Sequence, residues 1–184
     1  PGDMTVSVNS SSLQLVVRVF MEDYLMGVLP YEMSNSFPLE ALKAQAVAAR
    51  TYAVANVSGT GTYDVVDTSA NQVYRGYNTA YSRCAQAIRE TSGQILLWKG
   101  AVSDGVYSAS NGGQINPRCP RWGKFNTYHT IKDDPYDLAN ISSPSYTFLF
   151  PATLDTATPM DPRIEALVKK MLVTAAKEQG ITVS

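Results

Sequence analysis

The sequence predicts an α+β domain over residues 1–184, and three observations carry that reading. Residues 13–20 (LQLVVRVF) form a β-branched run behind a Ser-rich turn, the mark of a strand. Residues 39–57 form a long Ala-rich stretch that opens on Pro38 and Glu40 and closes on Gly59 and Gly61, the mark of a helix. Over residues 161–179, Ile164, Leu167, Val168, Met171, Leu172 and Ala175 recur at helical spacing, with Asp161 as N-cap, Pro162 at the first position and Gly180 as the stop. The expected architecture is a central, Ala-rich buried helix with further helices packed on antiparallel β-strands and a long loop-rich segment forming a cleft.

Taken in order, residues 21–30 after the first strand read as turn-like and lead into Tyr31, Glu32 and Met33. In the Ala-rich helix Leu39, Leu42, Ala46, Ala49, Ala53 and Val57 share one stripe, while Ala41, Ala44, Val47, Ala48, Val54 and Ala55 occupy the other faces. A helix apolar nearly all round is expected to be buried. Arg50 projects from the middle of that stripe, and a buried guanidinium needs a carboxylate or a polar cleft. Residues 63–67 are a short strand candidate. A second helix is expected over residues 78–90, where Ala80, Cys84, Ala87 and Ile88 recur at helical spacing and Gly93 follows as the stop. Residues 94–98 and 101–108 read as a hairpin around Lys99 and Gly100. Residues 111–159 are rich in Gly, Pro, Asn and Tyr with weak periodicity, the pattern of a functional surface. The ending Ile181-Thr182-Val183-Ser184 resembles the start of a strand, and the opening Pro1-Gly2-Asp3 resembles a trimmed start.

Composition excludes several classes of function. Fifteen Lys and Arg against 16 Asp and Glu give a net charge of −1, so no broad basic surface exists for nucleic acid. One histidine, His129, rules out a site with two or three His ligands, and an imidazole-assisted nucleophile would have to use that ring. Two cysteines, Cys84 and Cys119, are too few and too far apart for a zinc knuckle or a CxxC pair. Together with His129 they match no zinc spacing. No cofactor is expected. No run of about 20 apolar residues is present to span a membrane.

Carboxylates are then the leading acids and bases. Glu32 is the only charged residue between Asp23 and Glu40, with apolar neighbours that favour its protonated form, as a general acid requires. From periodicity alone the plainer reading, a helix cap or a salt bridge, comes first. The run Tyr107-Ser108-Ala109-Ser110-Asn111-Gly112-Gly113 is dense in small hydroxyl and amide groups and would let a ligand approach closely, although such a run is also a common turn. Tyr74 and Tyr77 offer faces for sugar stacking or for packing. Asp133, Asp134 and Asp137 are the runner-up carboxylates for a water-using glycosidase.

The stretch 24–56 (YLMGVLPYEMSNSFPLEALKAQAVAARTYAVAN) resembles the signature of stage II sporulation protein D and the related amidase-enhancer proteins of bacterial cell walls. The likeness continues through Tyr63-Asp64, Val66-Asp67-Thr68, Gln72-Val73-Tyr74-Arg75-Gly76 and Thr91-Ser92-Gly93-Gln94. It then takes in the Tyr-Ser-Ala-Ser-Asn-Gly-Gly loop and Asp134-Pro135-Tyr136-Asp137, so the motifs fall within residues 13–137.

The resemblance implies a lytic transglycosylase acting on peptidoglycan glycan strands that lack stem peptides. The family's catalytic glutamate falls on Glu32 and its important arginine on Arg50. The implied substrate contacts are Arg50, Gln72, Tyr74, Ser108, Ser110, Asn111, Gly112, Gly113 and Lys132, the last as nearest candidate for a lysine functional in some relatives. A tight pair between Arg50 and Glu32 would lower the acid's pKa, so Arg50 is expected to orient without such a pair. Some members bind zinc through a Cys-His pair where Val106 and Tyr107 stand here, so no metal is expected. The resemblance further implies an extracytoplasmic site, glycan strands and other cell-wall hydrolases as partners, and membrane attachment only through a segment outside this chain. The alternative it carries is a non-catalytic cell-wall module that binds glycan or enhances an amidase.

Overall fold

The computed structural model describes residues 2–115, 128–142, 162–178 and 180. In chain order its elements are β1 (Asp3–Asn9), β2 (Ser12–Arg18), α1 (Met21–Glu32), α2 (Leu39–Asn56), α3 (Ser82–Glu90), β3 (Leu97–Trp98), β4 (Ala101–Val102), β5 (Gln114–Ile115), β6 (Lys132–Asp133), α4 (Pro135–Ala139) and α5 (Pro162–Glu178). The class is α+β. The chain divides into two compact units, residues 1–143 and 144–184. In the second unit α5 matches the amphipathic segment read from sequence. The proposed Asp161 cap and the 181–184 strand start lie outside the described residues.

In the first unit the core lies among three helices. Leu25 and Leu29 of α1 meet Leu42, Ala46 and Ala49 of α2 and Cys84, Ala87 and Ile88 of α3, all fully buried. Alanines on the buried stripe of α2 let its neighbours approach closely. The helices thus pack mainly on one another, and strand contact with them runs chiefly through β4 against α2. Among the described residues the strands make three separate antiparallel ribbons, β1–β2, β3–β4 and β5–β6.

Several expectations are corrected. Residues 21–30 are not a turn but the body of α1. Leu25, Val28 and Leu29 supply the i, i+3, i+4 spacing that Gly27 and Pro30 disguise. Pro30 falls in the last turn, where it costs a single intrahelical bond, and Met33 N–H still reaches the Leu29 carbonyl at 2.9 Å. Gly27 is required by packing, because a Cβ there would lie 2.3 Å from the Tyr74 ring. The strand at residues 13–20 is β2, which pairs in register from Asp3↔Arg18 to Asn9↔Ser12 with β1, a strand the sequence reading did not anticipate.

Residues 63–67 form bends rather than a strand. Asp64 accepts from the Ser58 N–H, and Asn71 accepts from the Val66 N–H. The second helix starts at Ser82 and not at residue 78, because the Asn78 side chain closes a turn on the Ala80 N–H. Its first donors are capped from a distance: Asn35 Oδ1 accepts from the N–H groups of Arg83 and Cys84, both at 3.0 Å.

The Lys99-Gly100 hairpin forms, with both residues at positive φ as its tight turn demands. Its strands are only two residues each, short of the expected 94–98 and 101–108. The chain instead runs onto α2 at Gly105, where a Cβ would meet the Tyr52 nitrogen at 2.6 Å and the Ala48 carbonyl oxygen at 2.8 Å. That close approach pulls residues 103–107 off the hairpin and along the helix. Within the expected irregular stretch, β5 pairs with β6, and Asp134 caps the short α4 by accepting from the Asp137 N–H.

Candidate functional site

Glu32 is the last residue of α1 and is exposed, not shielded by apolar neighbours as its sequence context suggests. Its Oε1 accepts the Val73 N–H at 3.1 Å. Among the described residues no cation pairs with it, and Oε2 has no donor. One oxygen is therefore anchored and the other is open to exchange a proton.

Beneath this carboxylate lies a layer of polar groups held by Gln72. The Gln72 side chain is fully buried; its Oε1 accepts from the Tyr24 hydroxyl, and its Nε2 donates to the Ala49 carbonyl and to the Tyr107 hydroxyl, each at 3.1 Å. Tyr74 stacks on Tyr24 with ring centroids 5.5 Å apart, and the Arg75 N–H donates to the Gly27 carbonyl at 3.0 Å. Residues 72–75 are thereby stitched along α1, and this is what delivers the Val73 N–H to Glu32. Burial, then the neighbouring Tyr52 and the Glu32 charge, push the Tyr24 phenol up to about 12. Burial is also the main cause raising the Tyr107 phenol, with the Glu32 charge adding to it.

Arg50 and Gln72, expected as substrate contacts, are both buried. Arg50 is 1% exposed. It donates through Nε and Nη2 to the two oxygens of Glu22 at 2.9 and 2.7 Å, and through Nη1 to the Gln94 carbonyl at 3.0 Å. It pairs with Glu22 and not with Glu32, and so fastens α2 to α1 and to the loop after α3. Partial burial pushes the Glu22 carboxyl up, but the hydrogen bonds from Arg50 and the Gly93 N–H outweigh it and hold the group below its ordinary pKa. Glu22 went unassigned in the sequence. The oddness of Arg50 signalled that a carboxylate was needed, without saying which.

The small-residue loop forms a second cluster, gathered on one carboxylate. Asp137 Oδ2 accepts from Ser110 Oγ and from the N–H groups of Asn111, Gly112 and Gly113 at 2.8–3.3 Å. Asn111 Nδ2 donates to Asp134, and Ser108 Oγ donates to the Ser110 carbonyl. The loop is thus folded around a carboxylate of its own chain, which occupies the N–H groups of Asn111, Gly112 and Gly113. Asp134 and Asp137 are likewise structural acceptors here, and Asp133 accepts from Gln114. Lys132 is exposed on β6. No hydrogen bond joins this cluster to Glu32 among the described residues.

A cavity of about 310 Å³ lies between the end of α2 and the β3–β4 ribbon, lined by Ala55, Trp98, Ala101, Val102, Ser103, Asp104 and Tyr128. His129 Nε2 lies 3.3 Å from Asp104 Oδ1 at its margin. Among the described residues no three His, Cys, Asp or Glu side chains converge as a metal site requires. Cys84 is a buried core thiol, and Cys119 lies outside the described residues.

Residues 9–98 match the family model described as SpoIID, stage II sporulation protein. Over 113 residues the chain is 45% identical to a Bacillus subtilis protein named amidase enhancer, covering 61% of this chain and 15% of that one. It is 29% identical over 161 residues to stage II sporulation protein D of the same organism, covering 78% of this chain and 46% of that one. With the protein of that name in Bacillus amyloliquefaciens it shares 30% identity over 162 residues, again 78% and 46%. The matched region is less than half the length of each of these relatives.

Proposed function

Residues 9–98 are a SpoIID-family domain, and from that premise we propose that this cell-wall-related chain is a lytic transglycosylase of peptidoglycan glycan strands, with Glu32 as its acid and then its base. The observation that carries the reading is the state of Glu32: exposed, fixed at one oxygen by the Val73 N–H, and unpaired with any cation among the described residues. A protonated Oε2 gives its proton to the glycosidic oxygen as the bond to C1 breaks. The resulting carboxylate takes the proton from the C6 hydroxyl of the same N-acetylmuramic acid, whose oxygen closes onto C1. The product carries a 1,6-anhydro ring, and one carboxylate serves both steps. Because no water is activated, a second carboxylate is not required, in keeping with the structural employment of Asp134 and Asp137. Arg50 is engaged by Glu22 and does not pair with the acid. The substrate places the site outside the cytoplasm.

The chain is to be incubated with purified glycan strands, with and without stem peptides, and the products read by mass spectrometry. Anhydro-muramic ends from the unmutated chain, lost by about 10²-fold or more in Glu32→Gln, are the expected result. Reducing-end products would point to a water-using muramidase instead. The 45% identity to a protein named amidase enhancer favours one other reading, a non-catalytic module that binds glycan and stimulates an amidase. It predicts no anhydro product and unchanged glycan binding in Glu32→Gln.

A further inference from the structure

The direction of one hydroxyl proton beside Glu32 follows from the hydrogen bonds beneath it. The Ala49 carbonyl can only accept, so the end of the Gln72 side chain that faces it at 3.1 Å is the NH₂. The opposite end is then the carbonyl, and it receives the Tyr24 proton. The second hydrogen of the NH₂ goes to the Tyr107 oxygen. Flipping the amide would set two oxygens against each other at Ala49, so the pattern is locked. Tyr107 therefore receives a hydrogen bond from below and must send its own proton elsewhere. Among the described residues no acceptor takes it. The phenol is half-buried, it is held edge-on against Tyr52, and it lies within the field of the Glu32 carboxylate. It also opens the Tyr107–Gly113 stretch, in which the Ser108, Ser110 and Asn111 side chains all bond to groups of this chain, whereas the Tyr107 proton has no such acceptor among the described residues.

We infer that Tyr107 is a glycan-binding residue whose hydroxyl donates to the acetamido carbonyl of an N-acetylated sugar bound beside Glu32, with Gln72 as the positioning residue that aims it. A preset donor without an acceptor of its own suits a ligand rich in acceptors, and it costs no reorientation when the sugar arrives. The inference rests on the reading of the Glu32 surface as a glycan site, but it concerns binding, and the experiment separates the two.

In a Glu32→Gln background, which removes turnover, calorimetry with purified stem-peptide-free glycan strands compares Tyr107→Phe with its parent. Loss of one neutral hydrogen bond is expected to weaken binding roughly three- to tenfold. Chemically de-N-acetylated strands should bind the parent as weakly as acetylated strands bind Tyr107→Phe, a result that mere loss of packing would not produce. Gln72→Glu replaces the donor under Tyr107 with an acceptor and draws the phenolic proton inward. It should weaken binding as Tyr107→Phe does, and the double variant should bind no worse than either. Binding by Tyr107→Phe within about twofold of its parent, or an equal loss on acetylated and de-N-acetylated strands, would overturn the inference; should Gln72→Glu fail to fold, these two comparisons still decide. Weakened binding by Tyr107→Phe together with no anhydro product from the unmutated chain would leave this inference standing and overturn the catalytic reading alone.

Discussion

Replacing Glu22 by Gln tests whether Arg50 is a structural clamp. The Arg50 side chain is 2% exposed, while that of Glu22 keeps 35% of its surface in water. The substitution preserves shape and one acceptor oxygen but removes the charge opposite a desolvated guanidinium. Breaking a buried pair on one side costs about 3–5 kcal/mol, and the exposure of Glu22 puts this case near the bottom of that range, about 3 kcal/mol. At 2–4 °C per kcal/mol for a chain of this size, the melting temperature should fall by about 6–12 °C. The pH dependence has a definite sign. The folded pKa of Glu22 lies below its ordinary 4.5, so its contribution is complete above that pH and is lost as the pH falls through the folded value. The gap between wild type and Glu22→Gln should therefore narrow in acid. Replacing both partners, as in Glu22→Leu with Arg50→Met, should cost less than the sum of the two single changes, since no unpaired charge remains. A fall of under 3 °C in the single variant, or an additive double, would refute the clamp.

Three further outcomes follow from particular contacts. Gly27→Ala gains roughly 1 kcal/mol of helix propensity but drives a methyl into the Tyr74 ring, at an overpacking cost of about 1–3 kcal/mol, so a net loss in urea denaturation is expected, with Tyr74 displaced. Asp137→Ala removes the acceptor shared by Ser110 and the following N–H groups. It should cost about 2 kcal/mol and speed amide exchange at Asn111 and Gly112, while the Val73 amide is unaffected. Asn35→Ala strips the distant cap from α3 and should lower stability by about 1 kcal/mol in thermal unfolding monitored by circular dichroism.

Much of the framework was legible before the structure. The α2 helix, the Lys99-Gly100 turn and the amphipathic α5 announce themselves through local rules: apolar period, Pro at a helix start, and a turn whose residues both take positive φ. The anomaly of Arg50 was legible too, because a guanidinium in an apolar stripe demands compensation whatever surrounds it. The helix at residues 21–32 was hidden, since Gly27 and Pro30 look like breakers until Tyr74, 47 positions on, supplies the reason for a missing side chain.

The sequence by itself determined the class of the fold, the scarcity of imidazole and thiol groups, and the motif in which Glu32 stands. Tertiary structure alone decided what each polar group touches. Arg50 shares the 24–56 stretch with Glu32 and Gln72 opens a later motif, yet burial commits the first to Glu22 and the second to Ala49, Tyr24 and Tyr107. Asp137 is 24–27 residues from the loop groups that surround it. Hydrogen bonding and desolvation act over a few ångströms in space and have no period along the chain, so the division between polar groups that are buried and paired and those that stay exposed emerges only when distant segments meet.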